Sequence, residues 1–232
     1  MFMELQGAAT EHRVDLERLV DEAFAVGMVQ VREEALELSR LIQELQPRNF
    51  LEIGTDRGGT FYLFCQLTER EGKKISVDLP GGAYGSIEHN FAVERDRKMR
   101  AWSEQVTILE RNSHDPRSVR EVEEILSGEL CDFLFIDGDH SYNGACKDFR
   151  LYRHLVRAGG YVIFHDIADS EHHRQQNCFV SRLWREVHGD KREIIAGREW
   201  GGIGVLRVPR RKFRRSWHIL RLHFKSKFKR RA

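Results

Sequence analysis

The sequence predicts an α/β fold: a doubly wound, mostly parallel sheet with helices on both faces. From Pro47 onward, short apolar segments alternate with helical patterns, which is the order that right-handed strand–helix–strand crossovers produce. Polar residues follow the predicted strands at their C-terminal ends, where sheets of this kind bind ligands. The length of 232 residues suits one domain with a sizeable core.

Two helices are predicted ahead of the sheet. Residues 11–46 carry apolar residues at helical spacing, with a looser stretch near Gly27. Pro47 ends the second helix, because proline cannot continue a helix in its interior. We therefore divide the chain into an N-terminal helical segment (1–46), a central domain (47–208) and a tail (209–232).

The elements of the central domain follow in chain order. Each predicted strand is a short apolar run, and each predicted helix has apolar residues at helical spacing. Asp115 is the predicted N-cap of its helix. The parallel strands are 49–54, 73–79, 105–111, 131–137 and 161–166, followed by a closing hairpin of 192–197 and 202–208. The helices are 60–70, 89–102, 115–128, 144–160 and 179–189.

The composition is that of a soluble globular protein. Hydrophobic residues make up 41% and charged residues 32% of the chain, and no apolar run is long enough to span a membrane. Acidic residues near the N-terminus are not typical of a signal peptide, so we expect a cytoplasmic location. Four widely spaced cysteines form no CxxC pair, and we expect them to be reduced and buried: Cys65, Cys131, Cys146 and Cys178.

The segment EIGTDRGGTFYLF reads as a strand, a glycine turn and the start of a helix. Gly54 would let the chain turn at the strand end, while Gly58 and Gly59 would let a ligand approach the backbone. The spacing differs from the G-x-G-x-x-G of many dinucleotide-binding proteins. A tight strand-to-helix turn without a ligand is the alternative interpretation.

Asp78 ends the next predicted strand, 24 residues after Gly54. An acid at about this distance can accept hydrogen bonds from both hydroxyls of a ribose. The alternative is an exposed loop carboxylate. Together, the glycine turn and the acid indicate a nucleoside-containing cofactor.

Five motifs in this order resemble the class I S-adenosylmethionine-dependent methyltransferases: FLEIGTDRGGT, ISVDLPGGAYG, RNSHDP, FLFIDGDHSYNGACKDF and LVRAGGYVIFHDI. More narrowly, they are similar to the branch of the cephalosporin hydroxylases and sugar O-methyltransferases. The resemblance covers roughly residues 48–208 and implies a Rossmann-like sheet of seven strands with the last one antiparallel. It implies S-adenosylmethionine as the cofactor. The implied cofactor-binding residues are Glu52, Gly54, Thr55, Gly58, Gly59, Thr60, Asp78, Ser113 and Asp137.

Asp137, Asp139 and His140 cluster in FIDGDHSY, directly after a predicted buried strand. Methyl transfer to a hydroxyl requires that the hydroxyl proton leave, and a positioned base can take it. His140 is the candidate base, because its unperturbed pKa lies near neutrality. Alternatively, His140 only orders the loop through Asp139 or Tyr142. The predicted catalytic residues are His140, Asp137 and Asp139.

A divalent metal is the other means of removing the proton. The resemblance to metal-dependent O-methyltransferases implies magnesium at Asp137 and Asp166, and Asp139 could replace the third ligand of that group. His165 stands where several members of that group have an acid, and histidine is a poor ligand for magnesium. We nevertheless expect a divalent metal to assist the reaction, although His165 puts the third ligand and metal dependence in question.

Two further segments carry predictions. Residues 80–90, PGGAYGSIEHN, form either a lid containing Tyr84 or an exposed loop.

Eleven of the 38 Lys and Arg residues lie between Arg210 and Arg231, a stretch without acids. That stretch predicts an amphipathic helix that binds an anionic membrane surface at the inner face of the membrane. The alternatives are packing on a partner subunit, a solvated tail, or contact with nucleic acid phosphates. Its apolar stripe is Phe213, Trp217, Leu220, Phe224 and Phe228.

The acceptor is predicted from the resemblance and from the tail. A sugar or glycolipid hydroxyl is the first expectation, and a small secondary metabolite is the second. An RNA-binding or RNA-modifying protein that uses the basic tail is a third, and a cofactor-binding protein without catalysis is a fourth. The N-terminal helical segment could pack against a second copy of the chain.

Overall fold

A seven-stranded sheet organises the part of the chain that the structure describes. The computed structural model describes residues 14–79, 89–197 and 199–210, without the side chains of residues 89–92. The strand order is β3-β2-β1-β4-β5-β7-β6, and β7 runs antiparallel to both β5 and β6. The predicted fold, including the antiparallel last strand, is therefore confirmed. The strands are β1 (Phe50–Ile53), β2 (Lys74–Asp78), β3 (Val106–Glu110), β4 (Cys131–Ile136), β5 (Val156–Phe164), β6 (Asp190–Ile194) and β7 (Ile203–Arg207).

Helices cover both faces of this sheet. Local signals set several of their ends: Asp15 and Asp115 cap the first and fifth helices through backbone N–H groups, and Gly27 ends the first in a left-handed conformation. No helix in the described ranges is long and apolar enough to cross a membrane. The helices are α1 (Leu16–Val26), α2 (Arg32–Leu45), α3 (Gly59–Leu67), α4 (His89–Trp102), α5 (Pro116–Leu126), α6 (Tyr142–Tyr152), α7 (Glu171–Gln175) and α8 (Val180–Glu186).

The two faces of the sheet bury separate apolar layers. In β4, Phe133 and Phe135 pack with side chains of α1 to α4, while Leu134 and Ile136 pack with those of α5, α6 and α8. This alternation follows from the two-residue period of a strand. All four cysteines are buried and free, as predicted.

The predicted helix 144–160 is too long. In the structure α6 ends at Tyr152, a short 3-10 turn follows, and β5 begins at Val156. Val156 pairs with Cys131 of β4, and a Cβ on Gly160 would lie 2.3 Å from the carbonyl oxygen of Asp132. Gly160 therefore allows a close contact between two strands and does not end a helix. The short helix α7 was not among the predicted elements.

Glu34 of α2 ties the N-terminal helices to the end of the sheet. Its side chain is fully buried, and its two carboxylate oxygens accept the N–H groups of Ala196 (2.9 Å) and Gly202 (2.7 Å). Both donors belong to the connection between β6 and β7, so this one carboxylate fixes the connection against α2.

We expect Glu34→Gln to lower the free energy of unfolding by about 1–3 kcal/mol, since the amide turns an N–H towards one of the two buried donors. Urea denaturation followed by circular dichroism measures the change. Glu33→Gln on the same helix is the matched control, because Glu33 is exposed. Equal midpoints for the two variants would contradict the assigned role of Glu34.

Candidate functional site

A cavity of about 380 Å³ opens at the C-terminal ends of β1 to β4. Its walls are the glycine turn after β1, the end of β2, the loops after β3 and β4, and the turn between α1 and α2. The position agrees with the expectation that strand ends build the ligand site. The predicted site residues that line it are Gly54, Thr55, Gly59, Thr60, Asp78, Ser113, Asp137, Asp139 and His140.

Glycines are required where backbone segments meet under the cavity. Gly54 has φ +82, and a Cβ there would lie 2.2 Å from the carbonyl oxygen of Asp137. A Cβ on Gly59 would lie 2.1 Å from the backbone nitrogen of Met28. The glycine turn is thus in direct contact with the loop after β4 and with the α1–α2 turn. Gly58 caps α3 with φ +89 and is not among the residues that line the cavity.

Glu52 is buried in β1, two residues before Gly54. Its exposure is 0%, and neither carboxylate oxygen accepts a hydrogen bond from the described residues. Burial, and then the charge of Asp137, raise the pKa of Glu52 well above its usual value. A buried carboxyl without a partner is unfavourable, so this side chain has acceptor capacity that the rest of the protein does not use.

Asp78 ends β2 and is held by a buried arginine. Arg95 of α4 donates from one guanidinium nitrogen to Asp78 Oδ2 (2.7 Å) and to the carbonyl oxygen of Asp56 in the glycine turn (2.6 Å). Burial raises the pKa of Asp78, and the Arg95 contact opposes that rise. Arg95 therefore connects α4, the end of β2 and the glycine turn.

Asp137 is fixed by three donors. Its Oδ1 lies 3.1 Å from His140 Nε2 and 2.9 Å from His165 Nδ1, and its Oδ2 accepts from Gln30 Nε2 at 3.3 Å. Burial alone would raise the pKa of Asp137, but the two imidazoles outweigh it and hold that pKa well below the usual range. So weak a base cannot take a proton from a hydroxyl, and the structure favours an orienting role for this carboxylate.

His140 lies at the edge of the cavity beside both carboxylates. Its Nε2 is 3.8 Å from Asp166 Oδ2, and its carbonyl oxygen accepts the N–H of Phe179 (2.8 Å). Burial lowers the pKa of His140, but the hydrogen bond and charge of Asp137 outweigh it, so the pKa lies above the usual value. Asp139 and Tyr142 are the two residues through which His140 was expected to order the loop. Asp139 Oδ1 instead accepts the N–H of Ser141 (2.9 Å), and the Tyr142 hydroxyl donates to Glu186 (2.5 Å).

His165 bridges the two carboxylates. Its Nδ1 is 2.9 Å from Asp137 Oδ1 and 3.3 Å from Asp166 Oδ1. Burial opposes the charging of His165, but these carboxylates raise its pKa to about 9. Asp166 adopts φ +59, a left-handed conformation that is strained for a residue with a side chain and that is often found at functional sites.

The predicted metal ligands Asp137, Asp139 and Asp166 are not all brought together. Asp139 is exposed, and its Oδ1 accepts the N–H of Ser141 (2.9 Å) at the start of α6. A Cβ on Gly144 would lie 2.0 Å from the Asp139 carboxyl carbon, so this side chain packs on the first turn of the helix. Among the described residues, potential ligand atoms within 4.8 Å of one another belong to two groups, Asp137–His140–Asp166 and Asp166–His173–Cys178, and neither contains Asp139.

Four contributors to the site were missed by the sequence analysis. Met28, Gln30, Arg95 and His114 lie in the cavity wall or contact its carboxylates. Residues 80–88, including Tyr84, and residues 211–232 of the tail lie outside the described residues, so the lid and membrane predictions are untested.

The family model described as a methyltransferase domain matches residues 51–167. An uncharacterised protein of Acanthamoeba polyphaga mimivirus is 29% identical over 144 residues, which are 61% of this chain and 62% of that protein. A rhamnosyl O-methyltransferase of Mycobacterium bovis is 26% identical over 129 residues, 54% of this chain and 48% of the relative. The chain thus spans about half of the mycobacterial relative.

Solved structures share the fold at low identity. The O-methyltransferase from Bacillus cereus in complex with S-adenosylhomocysteine aligns with a TM-score of 0.55 and 19% identity, over 86% of this chain and 93% of that one. The MycE methyltransferase of the mycinamycin pathway, in complex with Mg, S-adenosylhomocysteine and mycinamycin VI, aligns with a TM-score of 0.57 and 11% identity, over 89% and 58%. At these identities the alignments show the fold.

Proposed function

The chain belongs to the family described as a methyltransferase domain and shares the class I fold of solved O-methyltransferases, and from this premise we propose that it methylates a hydroxyl of a sugar or glycolipid with S-adenosylmethionine. The observation that carries the reaction type is the His140–Asp137 pair at the edge of the cavity (3.1 Å). This pair supplies an oriented base where an acceptor hydroxyl can enter.

The cavity residues fit the cofactor. The glycine turn lets a ligand approach the backbone closely, Asp78 ends the strand at which the ribose is expected, and the Glu52 oxygens lack partners among the described residues. When bound, S-adenosylmethionine supplies a methyl group already activated by its sulfonium. Asp78 and the glycine turn orient the cofactor. Holding the methyl group in line with the acceptor oxygen removes a large share of the activation barrier.

His140 would take the proton of the acceptor hydroxyl as the hydroxyl oxygen bonds to the methyl carbon; the bond between that carbon and the sulfonium sulfur would break, and S-adenosylhomocysteine would leave. Asp137 holds the imidazole through Nε2 (3.1 Å), and His165 and Gln30 in turn hold Asp137. Because the pKa of His140 is raised, its neutral and active form gains population as pH rises through that pKa.

Magnesium stays a prediction, and the donor set fits it poorly. Magnesium prefers octahedral oxygen ligands and retained waters, whereas the groups between Asp137 and Asp166 are the imidazoles of His140 and His165. The proposed reaction therefore assigns the proton to His140 and uses no metal in any step.

The sugar acceptor is supported by the rhamnosyl O-methyltransferase relative. A small secondary metabolite is the second candidate, supported by the fold shared with the MycE methyltransferase. The proposed location is the cytoplasm, with the basic tail at the inner face of the membrane when the acceptor is a glycolipid. RNA is the less favoured partner.

The test incubates the protein with methyl-labelled S-adenosylmethionine and four acceptor sets: rhamnosyl glycolipids, free glycosides, small phenols and RNA. We expect label in a sugar hydroxyl, located by mass spectrometry, and none with heat-denatured protein. Addition of magnesium should leave the rate unchanged. Label only in phenols or RNA would overturn the sugar assignment, and magnesium-dependent turnover would overturn the metal-free reaction.

A further inference from the structure

Asp148 of α6 is a buried carboxylate that the proposed reaction does not use. Its side chain is 0% exposed, and neither oxygen accepts a hydrogen bond from the described residues. The cation that faces it is His114, with Nε2 at 3.4 Å from Oδ1. A buried charge is strongly unfavourable unless a counter-charge accompanies it. The geometry therefore favours a protonated imidazole beside Asp148.

His114 stands in the loop after β3 and lines the cavity. Its side chain is 19% exposed, so it faces both Asp148 and the cavity. Two other charged groups act on it: Lys147 of α6 lowers its pKa and Asp139 raises it. The contact with Asp148 is the largest influence, and the pKa of His114 lies above its usual value.

Helix α6 fixes this loop at a second point. The hydroxyl of Tyr152 donates to the carbonyl oxygen of Ser113 (2.8 Å). Gly138, which also lines the cavity, lies next to Asp148: a Cβ there would be 3.5 Å from Asp148 Oδ2. The loop that carries His114 is therefore braced from behind by α6.

The loop adjoins the strand end that carries Asp78. Strand β3 pairs with β2, and the N–H of Arg111 donates to the carbonyl oxygen of Asp78 (2.8 Å). Asp78 and residues 111–114 line the same cavity, so a ribose held at Asp78 would direct the attached adenine towards the wall formed by residues 111–114. An imidazolium has only donors, and the unsubstituted ring nitrogens of adenine accept hydrogen bonds. Because Nε2 of His114 faces Asp148, Nδ1 is the nitrogen that can donate to adenine.

We propose that His114, kept as an imidazolium by the buried carboxylate of Asp148, donates a hydrogen bond to a ring nitrogen of the cofactor adenine and makes cofactor binding depend on pH. The inference rests on the proposed function, because it places S-adenosylmethionine in this cavity. The charged form predominates below the raised pKa of His114 and is lost above it. Cofactor affinity should consequently fall as pH rises through that pKa.

The test measures the dissociation constant of S-adenosylhomocysteine by calorimetry between pH 6 and pH 9 in the full-length protein. For the wild-type protein we expect the dissociation constant to rise about tenfold across this range, because one charge-assisted hydrogen bond is lost. The His114→Gln protein should bind S-adenosylhomocysteine weakly at every pH, and its dissociation constant should change little with pH. Asp148→Asn should move the change to lower pH. His154→Gln is the matched control, since His154 pairs with Glu123 on the surface (3.0 Å) away from the cavity lining.

A binding-independent readout separates Asp148 from a general effect on folding. The imidazole Cε1–H resonance of His114, assigned by its absence in His114→Gln, should titrate above pH 6.5 in the wild-type protein and lower in Asp148→Asn. Parallel pH profiles of wild type and His114→Gln, or an unchanged titration in Asp148→Asn, would overturn the inference. No binding of S-adenosylhomocysteine at any pH would instead reject the proposed function.

Discussion

Asp78→Asn is expected to weaken the binding of S-adenosylhomocysteine about 100-fold. A carboxylate that accepts from both ribose hydroxyls makes charge-assisted hydrogen bonds worth roughly 1.5–3 kcal/mol each, and a 100-fold loss corresponds to about 2.7 kcal/mol. The neutral amide is a weaker acceptor and presents N–H groups to donors. Calorimetry at constant pH measures the change.

Asp78 also neutralises Arg95, so its loss acts on folding as well. Both side chains are nearly buried, at 9% and 4% exposure, and an unpaired buried charge is destabilising. The thermal midpoint of Asp78→Asn must therefore be compared with that of Asp96→Asn, which removes another Arg95 contact (3.0 Å) outside the cavity lining. A folded Asp78→Asn protein that binds the cofactor normally would show that the ribose assignment is wrong.

His140→Gln is expected to reduce kcat by about 10²–10⁴-fold, the usual contribution of a general base, with cofactor affinity nearly unchanged. In the wild-type protein the rate should rise with pH through the pKa of His140, which lies above its usual value, because only neutral imidazole accepts a proton. The variant should lose this rise. Single-turnover rates at several pH values measure both effects.

His172→Gln is the control for that experiment, because His172 is exposed on α7. It should retain the wild-type rate and pH profile. Unchanged turnover in His140→Gln would exclude the residue as the base. A loss without any change in the pH profile would assign His140 to positioning of the acceptor.

Strand ends were predictable from the sequence because their signals are local. An apolar run followed by an acid or a glycine marks the end of a buried strand, and a parallel sheet then gathers such ends at one edge. Gly54, Asp78 and Asp137 were found in this way, whereas Glu52, which lies inside β1, was implied by the resemblance. Asp115 was recognised as a cap because its partner, the N–H of Arg117, is two residues away.

Pairings between distant segments were not predictable in this way. Gln30 contacts Asp137 across 107 positions, and Arg95 reaches Asp78 from a helix whose rotation about its axis the sequence does not specify. His114 and Asp148 meet only because α6 packs behind the loop after β3. The sequence also did not show that the Asp139 carboxylate accepts the N–H of Ser141 at the start of α6, a local role that competes with ligand binding.

The α1–α2 turn contributes to two tasks at once. The backbone of Met28 abuts the glycine turn, and the Gln30 amide holds Asp137. An engineer who exchanged the first two helices for those of a related enzyme, hoping to widen the range of acceptors, would also alter the carboxylate that orients the base. Such chimeras should therefore need compensating changes around Asp137.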